Sequence, residues 1–152
     1  MSMLLTPGKW QGKGSLVVLG SNTGTPFSCQ LESTSDELGR SVNGTIAVEA
    51  QGDRSLSVRV AEDDTGLYQM DLRLDGFAMD GSAKLESTPN MGMLWNEAGT
   101  VHASFGFFPI NRGCGCRGFL KTPDSSLTWE VALEPVVEKV SGGNVVSLRR
   151  RR

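Results

Sequence analysis

Apolar residues recur at every second position along most of this chain. Leu56, Val58 and Val60 alternate with Ser55, Ser57 and Arg59. Tyr68, Met70, Leu72 and Leu74 alternate with Gln69, Asp71 and Arg73, and Leu127, Trp129, Val131 and Leu133 with Thr128, Glu130 and Ala132. A period of two describes a strand with one dry face and one wet face. Reading it along the sequence predicts strands at 10–19, 27–33, 42–50, 55–61, 67–74, 77–85, 91–97, 101–108, 116–122 and 127–134. Turn residues separate them, and Asp75-Gly76 gives the strongest hairpin signal. No long stretch has helical period. Ser35-Asp36-Glu37-Leu38 is the one place where a single helical turn is expected.

Strands joined by short turns form an antiparallel meander. An open meander of this size leaves two long edges that invite aggregation, and closure removes them. The expected fold class is therefore all-β, a single antiparallel up-and-down β-barrel of about ten strands. The expected domain is 8–135, followed by a flexible tail at 136–152 that contains Ser141-Gly142-Gly143-Asn144 and ends in four arginines, 149–152.

Composition narrows the class without naming a function. A chain of 152 residues fits one domain with a sizeable core. A net charge of −2 gives no global attraction to nucleic acid, and the four terminal arginines add only a weak, salt-sensitive one. No run of about 18 apolar residues predicts a membrane-spanning helix. Residues 1–7 lack the basic start of a signal peptide, so a cytoplasmic location is expected. Three cysteines, Cys29, Cys114 and Cys116, are too few for a disulfide framework and agree with a reducing compartment.

The opening Gly8-Lys9-Trp10-Gln11-Gly12-Lys13-Gly14 resembles the first strand of calycin β-barrels: lipocalins, fatty-acid-binding proteins, nitrobindin-like proteins and related uncharacterised bacterial proteins. The resemblance implies that Trp10 plugs one end of the barrel and that Gly12 and Gly14 let the first strand bend. The chain departs from two of these families. Nitrobindin-like proteins hold haem iron with a histidine on a late strand near the C-terminus, whereas the single histidine here, His102, falls on about the eighth strand. Fatty-acid-binding proteins place two helices between their first strands and clamp a carboxylate with internal Arg and Tyr. Only residues 21–26 separate those strands here.

Alternation puts Trp10, Phe27, Tyr68, Met70, Met79, Met93, Trp95, Phe105, Phe107 and Trp129 on the inward face. A round barrel of ten strands is too wide for side chains to fill easily, since about eight strands already suffice for that. The expected function is binding of a small, mainly uncharged hydrophobic ligand by Tyr68, Met70, Met79, Met93, Trp95, Phe105, Phe107 and Trp129. An isomerase or cyclase in the same cavity is the alternative, with Tyr68 or His102 as acid or base. A filled-core interaction module is the other.

Parity puts His102 on the outer face, away from any haem in the interior. Cys114-Gly115-Cys116 follows Asn111-Arg112-Gly113 in what reads as a crowded turn or bulge. Two thiolates there would begin a soft metal site, but only Cys29 and His102 remain as further ligands, so no metal is expected. Arg112, Arg117 and Lys121 read as surface charge, or as partners for an anionic group. No cofactor is expected, with haem held by His102 as the alternative; no nucleic-acid partner and no membrane insertion is expected, and the oligomeric state is left open.

Overall fold

The computed structural model describes residues 6–137. Its ten strands are β1 (Gly8–Val18), β2 (Thr25–Asp36), β3 (Gly39–Val48), β4 (Gly52–Glu62), β5 (Tyr68–Leu74), β6 (Phe77–Lys84), β7 (Asn90–Trp95), β8 (His102–Ile110), β9 (Gly113–Lys121) and β10 (Ser126–Pro135). Each pairs antiparallel with its neighbours in sequence, and β1 pairs with both β2 and β10. The result is a single closed up-and-down barrel, with no helix among the described residues. None of them forms a helix long and apolar enough to cross a membrane.

The barrel has two ends. The near end carries Gly8, Pro135 and the connections β2–β3, β4–β5, β6–β7 and β8–β9. The far end carries the other five connections. Hairpin chemistry explains several of these turns. Between β5 and β6, Asp75 and Gly76 have φ of 50° and 84°, the left-handed pair that a two-residue hairpin of matching twist demands. The helical turn expected at 35–38 does not form. Ser35 and Asp36 finish β2, and the Asp36 carboxylate accepts the Leu38 N–H at 2.8 Å to make the turn.

Alternation becomes burial along most strands. Trp10, Leu31, Val42, Val58, Val60, Met70, Met79, Leu94, Phe105, Val131 and Leu133 form one buried interior. Trp10 lies at the near end, level with Leu31 and Pro135, and its indole N–H donates to the Thr6 carbonyl. Phe27, Tyr68, Phe107 and Trp129 are partly buried against the same core. Two expectations about inward positions fail on β7. Met93 and Trp95 are 45% and 41% exposed on the outer face, while Asn90, Gly92 and Leu94 point inward. Both faces of this strand are apolar, so alternation alone sets no phase for it. The Cys114–Cys116 stretch is not a loop either. It lies within β9, paired to β8 and β10, with both thiols inward. Of the tail expected at 136–152, residues 138–152 lie outside the described residues.

Candidate functional site

The inward face is apolar through the middle of the barrel and changes character at the near end. Following the inward phase outward, Leu31 gives way to Ser33 on β2, Val42 to Arg40 on β3, Val60 to Glu62 on β4 and Met70 to Tyr68 on β5. Register places them on adjoining strands. Ser33 is level with Val42, Arg40 with Val60, and Glu62 with Tyr68. The interior is thus not free of fixed charge at this end. Each polar residue extends an apolar phase by one step, but Arg40 and Glu62 fall beyond the strands that alternation predicts and Ser33 at the end of one.

Two of these side chains bury hydrogen-bonding atoms that no group among the described residues satisfies. Ser33 is 2% exposed and its hydroxyl has no partner among the described residues. The same is true of Arg40 Nη1. Buried polar atoms are nearly always paired, because each unpaired one costs roughly 1–3 kcal/mol. Here two donors on neighbouring strands share that condition.

Tyr68 donates its hydroxyl hydrogen to Glu86 Oε1 at 2.6 Å. The loop carrying Glu86 is tied at both sides. Lys84 Nζ donates to the carbonyls of Ser87 and Pro89, and Asn90 Nδ2 donates to those of Leu85 and Ser87. Partial burial pushes the Tyr68 hydroxyl up to about 12, helped by the bond to Glu86 and the charges of Glu86 and Glu62, and opposed by Arg40. At neutral pH Tyr68 therefore keeps its proton and acts as a hydrogen-bond donor, not as a base.

The other expected candidates do not join this cluster. His102 lies on the outer face at the far end, edge-on to Phe119 with ring centroids 5.8 Å apart. It cannot reach a haem inside the barrel or share a substrate with Tyr68. Arg112 sits exposed in the β8–β9 turn at the near end, while Lys121 is exposed at the far end. Arg117 points outward, pairs with Glu130 and lies over the Phe108 ring.

Cys29, Cys114 and Cys116 are all buried, and none of them is in a disulfide. Burial raises the Cys116 thiol to about 12, against a lowering bond from Trp129, with the nearby thiols of Cys114 and Cys29 adding to the rise. Burial likewise raises Cys29 to about 11, against a bond from the Gly12 backbone. The Cys29 and Cys116 thiols stay protonated at neutral pH and behave as small apolar groups. No three His, Cys, Asp or Glu side chains among the described residues are placed to hold a metal ion.

Two grooves stand out among the described residues, and both open on the outside of the barrel. One, of about 390 Å³, runs along β9, β10 and β1 at the far end. The other, of about 400 Å³, crosses β1, β2 and β3. No protein-family model matches this chain, and no curated protein or solved structure is significantly similar to it.

Proposed function

We propose that this chain is a calycin-like binding barrel that takes a small, mainly apolar ligand at its near end. An oxygen of the ligand accepts hydrogen bonds from Ser33 and Arg40. Met70, Met79, Phe105, Phe107 and Trp129 line the apolar wall, with Tyr68 at the polar edge; Met93 and Trp95 have no part in it. The observation that carries this reading is the pair of buried donors without an acceptor among the described residues. A ligand oxygen is the group their chemistry asks for, and a dry surround makes each such bond count for more.

The test is native mass spectrometry of the protein purified from its own host, against its denatured mass. A reproducible extra mass lost on denaturation is expected. Melting with a panel of long-chain acids, alcohols and neutral lipids then classifies the ligand. Arg40→Met and Ser33→Ala should lose the response. A clean apo mass with no melting shift overturns the reading.

A second reading, a filled-core interaction module, is favoured by side chains that lie over inward glycines. A methyl at Gly92 would sit 2.5 Å from the Phe105 ring, and one at Gly118 would sit 2.5 Å from the Trp129 ring. The same mass measurement separates the two.

A further inference from the structure

Outward positions on this barrel are mostly polar, as water contact requires. One face breaks the rule. Met91, Met93 and Trp95 on β7, Phe119 on β9, Val17 on β1 and Leu19 just after it are each between 37% and 78% exposed. Register gathers them. Met93, Ser104, Phe119, Thr128 and Val17 are level across β7, β8, β9, β10 and β1. Trp95, His102, Lys121 and Ser126 are level in the same way, and the Leu19 N–H donates to the Ser126 carbonyl. His102 fills the space beside Phe119. Leu38 and Leu67, also exposed, stand singly in near-end connections.

This face has relief. Met93 and Trp95 form a ridge on β7. The groove of about 390 Å³ lies over β10, floored by Ser126 and Thr128 and walled by Phe119 on one side and by Val17 and Leu19 on the other. The six apolar side chains expose on the order of 500 Å², near the upper end for a patch on a monomer. That is most of the roughly 800 Å² per partner that a standard stable interface covers.

We propose that this face joins two copies of the chain in a symmetric dimer, the ridge of each seated in the groove of the other. Strand order argues for a second copy as the occupant. β7 and β10 flank β8 and β9, so a two-fold axis along the strands, between β8 and β9, exchanges ridge and groove. Such an axis keeps each residue's level along the barrel. Trp95 then comes opposite Ser126, and Met93 opposite Thr128, a large side chain against a short one each time. A buried aromatic anchor in a pocket is the usual energetic centre of an interface. The proposal stands apart from the ligand reading, which concerns the barrel interior.

Sedimentation equilibrium of the full chain from roughly 1 to 100 µM tests it. The mass should climb from one chain to two across that range. Trp95→Asp and Thr128→Arg should each raise the dimer dissociation constant at least tenfold, roughly, without moving the melting temperature of the dilute, dissociated chain, where both positions are exposed. Thr45→Arg, on the exposed face of β3, should change nothing. If Trp95→Asp fails to fold, Thr128→Arg decides alone. A one-chain mass at every concentration overturns the proposal and hands the groove to another occupant, residues 138–152 of the same chain among them. A dimer that survives both substitutions overturns it too, since it uses another face.

Discussion

Adding one methyl group at Gly12 probes how tightly the barrel is filled. The new carbon would lie 2.7 Å from Leu133 Cδ2, 2.8 Å from Cys29 Sγ and 3.0 Å from Val131 Cγ2. Carbon contacts are comfortable at about 3.5–4.0 Å, so three neighbours must give way at once. All three are side-chain tips with some freedom, which places Gly12→Ala in the overpacking range of roughly 1–3 kcal/mol. Cys29→Ala removes one of the three and should cost about 1 kcal/mol in lost burial. The double variant should be more stable than additivity predicts, by about 1 kcal/mol, because the methyl fills the space the sulfur leaves. Gly14→Ala should be worse than Gly12→Ala. Its methyl would meet the Glu130 carbonyl oxygen at 2.1 Å, and a backbone oxygen cannot swing aside. Urea unfolding followed by tryptophan fluorescence measures all four variants, and 1 kcal/mol is about 2–4 °C in melting temperature at this size. A neutral Gly12→Ala, or strictly additive single variants, would refute the close-packed description of this wall.

Tyr68 is the chain's single tyrosine, so its titration can be followed by absorbance without overlap from another. Its midpoint should lie near 12 in the folded protein and near 10 after unfolding. A raised folded value means that the folded state holds the proton more tightly. The corresponding stability is full below pH 10 and is lost as pH rises from 10 towards 12; Tyr68→Phe should flatten that part of the profile. The raised, buried thiols Cys29 and Cys116 should resist a thiol reagent at pH 8 until the chain opens. A labelling rate equal to the rate in denaturant would refute their burial. Arg117→Ala should change stability by less than about 0.5 kcal/mol despite the contact with Glu130, because both side chains are well exposed. A loss above 1 kcal/mol in chemical unfolding would contradict this.

Period-two alternation made the architecture legible wherever the two faces of a strand differ in polarity. β4 is such a strand, with Val58 and Val60 against Ser57 and Arg59. It failed on β7, where Met91, Met93 and Trp95 compete with Gly92 and Leu94. Side-chain size favoured the wrong face there, because an inward glycine carries no hydrophobic signal. Glycine density misled at Cys114-Gly115-Cys116 as well. A glycine between two inward residues reads as a loop, yet here Gly115 only makes room for the Phe108 ring. The near-end cluster was half legible. Tyr68 was visible as the polar member of an apolar phase. Ser33 and Arg40 were not, because they lie where strand boundaries are least certain from sequence, and their burial depends on strands they do not touch in the chain.

The seam between β1 and β10 sets the order in which this molecule can be finished. Trp10 faces Pro135 and Val18 faces Leu127, so the pairing joins the first strand to the last. Every other pairing is a local hairpin and can form as the chain lengthens. Until the final strand docks, β1 and β9 each present a row of open N–H and C=O groups, the template for pairing with a stranger. Closing the seam carries the largest loop-closure entropy and is expected to limit the rate of folding. A chain cut short before Ser126 would hold nine strands' worth of correct local structure and still be two sticky edges in search of a partner.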